Sequence, residues 1–138
     1  MDSDRPSPHP SHRSPEHLLL GDLEVTVTQQ PHRAVVTARG ELDLNTVVRL
    51  GGAIASHTGR RQDLVLDLGE LTFIDSTGLR LLIRLRERAE RDATALLVVT
   101  NEPVRRILTL SGMAALFDCV DRPLPYVPAD DLPDGQVA

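Results

Sequence analysis

The chain contains few of the residues that build covalent, metal-bound or aromatic sites. Its 138 residues include one cysteine, two phenylalanines, one tyrosine and no tryptophan. A single cysteine, Cys119, excludes an internal disulfide and a cysteine metal cluster. Because Cys119 has apolar neighbours and no basic one, we expect a buried, structural thiol. The chain is long enough to fold around an ordinary hydrophobic core without a disulfide or a metal.

Charge and hydropathy exclude two kinds of partner. The formal net charge is −5, so there is no basic excess to neutralise the phosphates of a nucleic acid. No apolar stretch approaches the roughly 18–20 residues that span a bilayer. The start of the chain also lacks the basic region and apolar run of a signal peptide. We therefore expect a soluble, cytoplasmic domain that binds neither nucleic acid nor membrane.

The motifs of common enzyme classes are absent as well. The sequence has no G-x-G-x-x-G, no P-loop, no H-E-x-x-H and no G-x-S-x-G. His32 and His57 are the histidines expected inside the fold, and both fall at the ends of predicted elements. His9, His12 and His17 belong to the N-terminal segment, where composition explains them without a metal. We therefore expect a protein that is not an enzyme, with no catalytic residue, no metal site and no cofactor.

Proline marks the limits of the folded domain. Eight of the ten prolines lie in the two end segments of the chain, which cannot bury enough apolar surface to offset their conformational entropy. This distribution predicts a disordered Pro/Ser/His-rich segment over 1–17, one domain over 18–122 and a Pro-rich tail over 123–138.

Hydrophobic periodicity predicts an α/β domain with a mixed sheet in the order β-β-α-β-α-β-α. The first two strands form a hairpin that ends in a turn at 40–43. A helix with a glycine pair follows, and we expect its glycines to pack closely on the sheet. The predicted strands are 23–28, 34–38, 64–68 and 95–99, and the predicted helices begin after 43, after Asp75 and after Asn101.

The stretch Asp75-Ser76-Thr77-Gly78 opens the second helix. The Asp75 carboxylate is a good N-cap, since it can accept hydrogen bonds from the first free amides and favours the positive end of the helix dipole. Ser76 and Thr77 then place two hydroxyls at the start of a helix. Most such hydroxyls belong only to a cap. An exposed one can also accept a phosphoryl group, which adds about −1.5 to −2 charges and would change the binding of a partner.

The surroundings of these hydroxyls depend on two nearby segments. Glu41 and Asp43 lie near Asp75 if their turn is at the same edge of the sheet. On the helix, Leu79 and Ile83 fall on a flank beside the buried face. They either pack against a neighbouring helix or form an exposed apolar strip that suits a partner protein.

Several motifs in this order make the chain resemble the STAS-domain anti-sigma factor antagonists from about Leu23 to Phe117. The residues that carry the resemblance are the segments 40–43 (GELD), 64–68 (LVLDL), 73–79 (FIDSTGL), 102–108 (EPVRRIL) and 110–112 (LSG). The resemblance implies a STAS-like single domain that acts as an anti-anti-sigma factor.

The resemblance also implies a switch. In that family an anti-sigma factor that is also an ATP-dependent serine kinase phosphorylates the residue that corresponds to Ser76. The unphosphorylated form binds the kinase and so releases a sigma factor, and a phosphatase restores it. The implied partner-binding residues here are Glu41, Asp43, Asp75, Thr77, Gly78, Leu79 and Ile83.

Two other functions stay open at this point. One is a STAS scaffold or sensor module in a larger signalling assembly, in which the hydroxyls are not phosphorylated. The other is a small enzyme with Ser76 as its nucleophile, which is disfavoured because no base is expected nearby.

Overall fold

A computed structural model describes residues 15–58 and 61–121, which form six strands, three α-helices and a short 3-10 helix. The strands are β1 (Glu16–Leu20), β2 (Leu23–Gln29), β3 (Arg33–Leu42), β4 (Asp63–Ile74), β5 (Leu96–Thr100) and β6 (Asp118–Asp121). The helices are α1 (Val47–His57), α2 (Ser76–Asp92) and α3 (Glu102–Leu110), and the 3-10 helix spans Ala114–Leu116.

The strands form one mixed sheet whose order follows the sequence, β1-β2-β3-β4-β5-β6. β1, β2 and β3 are antiparallel neighbours, and β3 to β6 are parallel. Parallel neighbours need crossover connections, which α1, α2 and α3 supply. The predicted mixed α/β fold is confirmed, and the structure adds β1 and β6 to the predicted elements.

The added strands bear on the predicted boundaries. β1 begins at Glu16, so the expected domain start at 18 falls inside a strand, and His17 lies within the sheet. The rest of the predicted N-terminal segment and the predicted tail over 123–138 lie outside the described residues. No helix within 15–58 and 61–121 is long and apolar enough to cross a membrane.

The main core lies on one face of the sheet, between the strands and all three helices. Alternate residues of the strands point to this face, and all three helices contribute buried side chains to the same cluster. A smaller cluster of Val35, Val65 and Val99 lies on the other face. Asp67 is buried there as well, and its carboxylate accepts a hydrogen bond from the Gly69 amide at 2.9 Å.

Two strands run further than the sequence predicted. β3 continues through the expected turn at 40–43 as far as Leu42, and β4 continues to Ile74. Register shifts between the two strands at Thr37/Arg39 and Gly40/Glu41 accommodate the irregular stretch. Gly40 makes this possible, because it adopts a φ of +116° that favours glycine. A single residue, Asp75, therefore separates β4 from α2.

Helix α1 starts later than the sequence predicted. The helix begins at Val47, and its buried residues are Leu50, Ala53 and Ile54. Leu44 and Val48, the apolar residues on either side of this start, are 69% and 76% exposed. The predicted start after 43 counted the turn before Val47 as helix.

The glycine pair of α1 does not pack on the sheet as expected. A β-carbon at Gly51 would lie 3.3 Å from Cδ1 of Leu81 in α2, whereas one at Gly52 would meet nothing within 4 Å. Close approach of two helices therefore accounts for Gly51. Gly52 has no packing reason to be glycine.

The expectation of a buried thiol is also wrong. Cys119 lies on strand β6 and is exposed. Partial burial of the sulfur, followed by the charges of Asp118 and Asp121, raises the pKa of the Cys119 thiol. The sequence around Cys119 is apolar on one side only, and strand β6 is the last strand of the sheet.

The carboxylate of Asp121 in strand β6 accepts hydrogen bonds from two other elements of the domain. Oδ1 of Asp121 accepts hydrogen bonds from the Thr100 hydroxyl at 2.7 Å and from the Arg105 guanidinium at 2.8 Å. These hydrogen bonds lower the pKa of Asp121. They join β6 both to its neighbour β5 and to helix α3.

The two glycines with opposite surroundings give a stability prediction. Gly40→Ala should lower the free energy of unfolding by roughly 1–3 kcal/mol, because φ is +116° and the added carbon would overlap the carbonyl oxygen of Asp22. Gly52→Ala should raise it by about 0.5–1 kcal/mol, since alanine is the better helix former and the space is open. Urea denaturation of both variants measures the difference. Equal stability of Gly40→Ala and the natural protein would contradict the overlap between a β-carbon at Gly40 and the Asp22 carbonyl oxygen.

Candidate functional site

The candidate site lies where β3 and β4 end together. Leu42 pairs with Ile74 at the end of the β3–β4 ladder, and the amide of Asp75 donates to the carbonyl oxygen of Leu42 at 3.3 Å. The segment that contains Glu41 and Asp43 is therefore at the same edge of the sheet as the start of α2. Glu41 and Asp43 therefore lie near Asp75, as expected for a turn at the same edge of the sheet.

Asp75 is the N-cap of α2, as predicted. Its Oδ1 accepts hydrogen bonds from the amides of Thr77 at 2.9 Å and Gly78 at 3.2 Å. It also accepts one from the Thr77 hydroxyl. Partial burial raises the pKa of Asp75, but the Thr77 hydroxyl and the two amides together outweigh it, so the pKa lies below its ordinary value. The carboxylate is ionised at neutral pH and fixed in place.

Asp43 has a similar local role in front of α1. Its Oδ1 accepts hydrogen bonds from the amides of Asn45 at 2.9 Å and Thr46 at 3.2 Å. Much of its hydrogen-bonding capacity is therefore used inside the turn. Glu41 is exposed, and within 15–58 and 61–121 its carboxylate makes no side-chain hydrogen bond. Of the two acidic residues, Glu41 is the more available to a partner.

The two hydroxyls at the start of α2 differ in their surroundings. Ser76 is the first residue of the helix and is exposed, and in the described part of the chain its hydroxyl has no hydrogen-bond partner. Thr77 is half-buried, and its hydroxyl donates to Asp75. Of these two hydroxyls, the one on Ser76 is exposed and has no hydrogen-bond partner among the described residues.

Gly78 is buried beneath these hydroxyls. A β-carbon there would lie 2.7 Å from Cγ1 of Ile74 and 3.1 Å from Cδ2 of Leu42. The absence of a side chain thus lets the start of α2 pack directly on the ends of β3 and β4. Gly78 is therefore needed for packing inside the domain. A partner approaching from solvent would not contact it directly.

Leu79 and Ile83 are half-buried and pack against the main core cluster. This favours the packing alternative for these residues over a fully exposed apolar strip. Exposed apolar side chains are found instead at Leu44 and Val48, beside the Asp43 turn, and at Phe73, which is 47% exposed and pairs with Glu41.

The sequence pattern of the STAS domain family matches residues 24–124, most of the 138 residues of the chain. The chain belongs to the STAS domain family. Among its relatives, an anti-sigma F factor antagonist of Paenibacillus polymyxa is 29% identical over 104 residues, which cover 72% of this chain and 89% of that protein.

Solved structures with the same architecture include an anti-sigma factor antagonist from Mycobacterium paratuberculosis. It superposes on this STAS domain with a TM-score of 0.65 at 27% identity, over 75% of this chain and 88% of that one. SpoIIAA, an anti-sigma factor antagonist solved in its unphosphorylated form, superposes with a TM-score of 0.57 at 17% identity, over 81% and 90% of the two chains. The second likeness concerns the fold alone.

The described histidines of this STAS domain do not approach the site. His17 lies in β1, which β2 separates from β3, and its Nδ1 is 3.2 Å from the Thr26 hydroxyl. His32 precedes β3 and His57 ends α1, so these two are at the opposite edge of the sheet from Ser76. Nε2 of His57 lies 2.9 Å from the carboxylate of Glu16, and its Nδ1 lies 3.0 Å from the carbonyl oxygen of Ala53. None of these three rings is placed to serve Ser76 as a base. Within the described ranges, no group of three His, Cys, Asp or Glu residues could hold a metal.

Sequence reasoning missed Thr46, which shapes the acidic turn of this STAS domain. Thr46 is buried, and its hydroxyl accepts from the Asp43 amide at 3.0 Å and donates to the carbonyl oxygen of Glu41 at 2.9 Å. The available signal was the residue types, because aspartate and threonine side chains both commonly bond nearby backbone groups in turns.

Removing the cap carboxylate should weaken the domain in a pH-dependent way. At pH 7, Asp75→Ala should lower the free energy of unfolding by about 1 kcal/mol. Because the folded-state pKa of Asp75 is depressed, this contribution is fully present above the ordinary carboxyl pKa of about 3.9 and is lost as pH falls through the lower folded value. Urea denaturation from pH 7 to pH 3 measures it.

The matched control is Glu41→Ala, which removes an exposed carboxylate at the same edge of the sheet. Its effect on stability should stay within about 0.5 kcal/mol. A difference between Asp75→Ala and the natural protein that does not shrink on acidification would contradict the assigned role of the ionised cap.

Proposed function

We propose that this protein is an anti-sigma factor antagonist controlled by phosphorylation of Ser76. In its unphosphorylated form it binds an anti-sigma factor that is also an ATP-dependent serine kinase, and a sigma factor is released. A phosphatase reverses the modification, and all these steps belong to the cytoplasm. The observation that carries the proposal is the exposed, uncommitted hydroxyl of Ser76 at the start of α2 in a STAS domain whose relatives include anti-sigma factor antagonists.

The local geometry favours Ser76 over Thr77 as the phosphate acceptor. To be modified, Thr77 would have to give up its hydrogen bond to Asp75 and bring a half-buried oxygen into a kinase active site. The Ser76 hydroxyl loses no described hydrogen bond when it is modified. Phosphorylation should therefore occur at Ser76 alone.

The electrostatics of this edge explain how one phosphoryl group can act as a switch. The positive end of the α2 dipole tolerates added negative charge, so the domain stays folded. The surface already contains the carboxylates of Glu41 and Asp75. A further −1.5 to −2 charges, roughly, would repel an acidic contact region on the partner and add bulk where the partner approaches.

We propose that the partner contacts this edge through residues from two segments. Glu41 lies at the end of β3 and Asp43 directly follows that strand. Asp75, Thr77, Leu79 and Ile83 belong to α2 and its cap. These residues differ in how much of each side chain a partner can contact. Glu41 is exposed, whereas only part of the Leu79 and Ile83 side chains is accessible to solvent. Gly78 would act indirectly, by holding the helix start against β3.

Purified protein incubated with its kinase and ATP tests the proposal. The kinase is obtained by capture on Ser76→Ala, which should bind it and accept no phosphate. Ser76→Asp should bind at least about tenfold more weakly, a cost of roughly 1.4 kcal/mol. Mass spectrometry of the natural protein should find phosphate on Ser76 and none on Thr77.

Ser56→Ala is the matched control, since Ser56 is an exposed serine on α1 whose hydroxyl donates to the carbonyl oxygen of Gly52. This variant should bind and be phosphorylated like the natural protein. Phosphate on Thr77 with Ser76 unmodified would refute the assignment. A protein that never carries phosphate in growing or stressed cells, but co-purifies in a large complex, would support the scaffold function instead.

A further inference from the structure

Arg80 stands apart from two other arginines of helix α2. Arg86 pairs with Glu90 at 2.9 Å and Arg88 with Asp92 at 3.8 Å, both across one helical turn. Arg80 is exposed, and within residues 15–58 and 61–121 it makes no ion pair or hydrogen bond. Its charge is therefore not matched by any acidic side chain of the described domain.

The helix itself limits what Arg80 can reach. Residues three and four apart on a helix lie side by side, with Cβ atoms about 5–6 Å apart. For Arg80 these positions are Ser76, Thr77, Ile83 and Arg84, and none of them is acidic. The Thr77 hydroxyl is already bonded to Asp75. Ser76 is the remaining neighbour that can become an anion, and it does so only when it is phosphorylated.

We propose that Arg80 binds the phosphoryl group of phosphorylated Ser76, so that the first turn of α2 is an intramolecular phosphate-binding site. The inference rests on the proposed modification of Ser76. Guanidinium matches phosphate oxygens with two parallel hydrogen bonds. The order is also the favourable one on a helix, with the anion one turn before the cation and close to the positive end of the dipole.

The other charged groups near this edge do not compete with Arg80. Asp75, Glu41 and Asp43 are negative and would repel the phosphate. On α3, Arg105 is bonded to Glu102 at 3.2 Å and to Asp121 at 2.8 Å. On α1, the Arg49 guanidinium lies beside the β1–β2 turn, 4.0 Å from the position of a β-carbon at Gly21.

The contact changes what phosphorylation presents to solvent. A bare phosphate would expose its full charge and all its oxygens, whereas a phosphate bound by Arg80 has part of both covered. The modified state would then be less readily hydrolysed, and a phosphatase would have to displace Arg80 before it could act. Arg80 would thus set the lifetime of the phosphorylated state.

The test uses the full chain with phosphoserine incorporated at position 76 during synthesis, so it does not depend on a kinase. The second ionisation of the phosphate, about pH 6 for a free phosphoserine, is followed by ³¹P NMR. Its midpoint should be higher in Arg80→Gln than in the natural sequence by about 0.3 pH unit or more. Arg80→Lys should restore part of the difference, and 1 M salt should reduce it.

Arg84→Gln is the matched control. Arg84 is exposed on the same helix but lies two turns from Ser76, so its loss should leave the midpoint unchanged. Alkaline phosphatase should dephosphorylate Arg80→Gln at least about twofold faster than the natural sequence, an effect on the scale of one surface ion pair. Thermal denaturation of the unphosphorylated variants checks that the exposed substitutions leave the fold intact.

Two results would overturn the inference. The first is an identical midpoint and phosphatase rate for Arg80→Gln and the natural sequence. The second is an equal shift in Arg84→Gln, which would reflect the general charge of the helix. Either result leaves the modification of Ser76 untouched, whereas failure of a kinase to modify Ser76 would overturn the proposed function and leave the Arg80 contact measurable.

Discussion

The site depends on the parallel pairing of β3 with β4 up to their last residues. Because Leu42 and Ile74 are paired, the chain leaves both strands at the same point, and two helices begin close together. The hydrogen bond from the Asp75 amide to the Leu42 carbonyl closes this junction, and Gly78 packs on it from above. A charge added at Ser76 is therefore added to a fixed surface.

The sequence predicted those elements whose formation depends on residues close together in the chain. Alternation of apolar and polar residues identified β2, and the 3.6-residue period identified the buried face of α2, since both depend on neighbours in sequence. β6 could not be found in this way, because its register is set by residues distant in the chain, such as the pairing of Cys119 with Val98. The extension of β3 through Gly40 likewise depends on the β1–β2 turn, which no local pattern contains.

The same division holds within the site. The Asp75 cap was predictable because its hydrogen bonds reach only two and three residues along the chain. The role of Gly78 was not, since Leu42 is distant in sequence and its contact with Gly78 exists only in the folded domain. The difference between Ser76 and Thr77 was only partly predictable: the sequence placed both hydroxyls at the helix start but did not show which one is hydrogen-bonded. Predicting the difference required knowing that Thr77, and not Ser76, donates to the aspartate.

The one-residue link between β4 and α2 restricts how this edge of the sheet can diverge. Surface connections commonly vary by gaining or losing residues. One residue added or removed next to Asp75 would turn α2 by about 100° around its axis, which would move Gly78 off the strands and Ser76 away from its position at the edge. Insertions and deletions in this link are therefore not tolerated. Related sequences can differ in the residues around the Ser76 hydroxyl, but the number of residues between β4 and that hydroxyl has to stay the same.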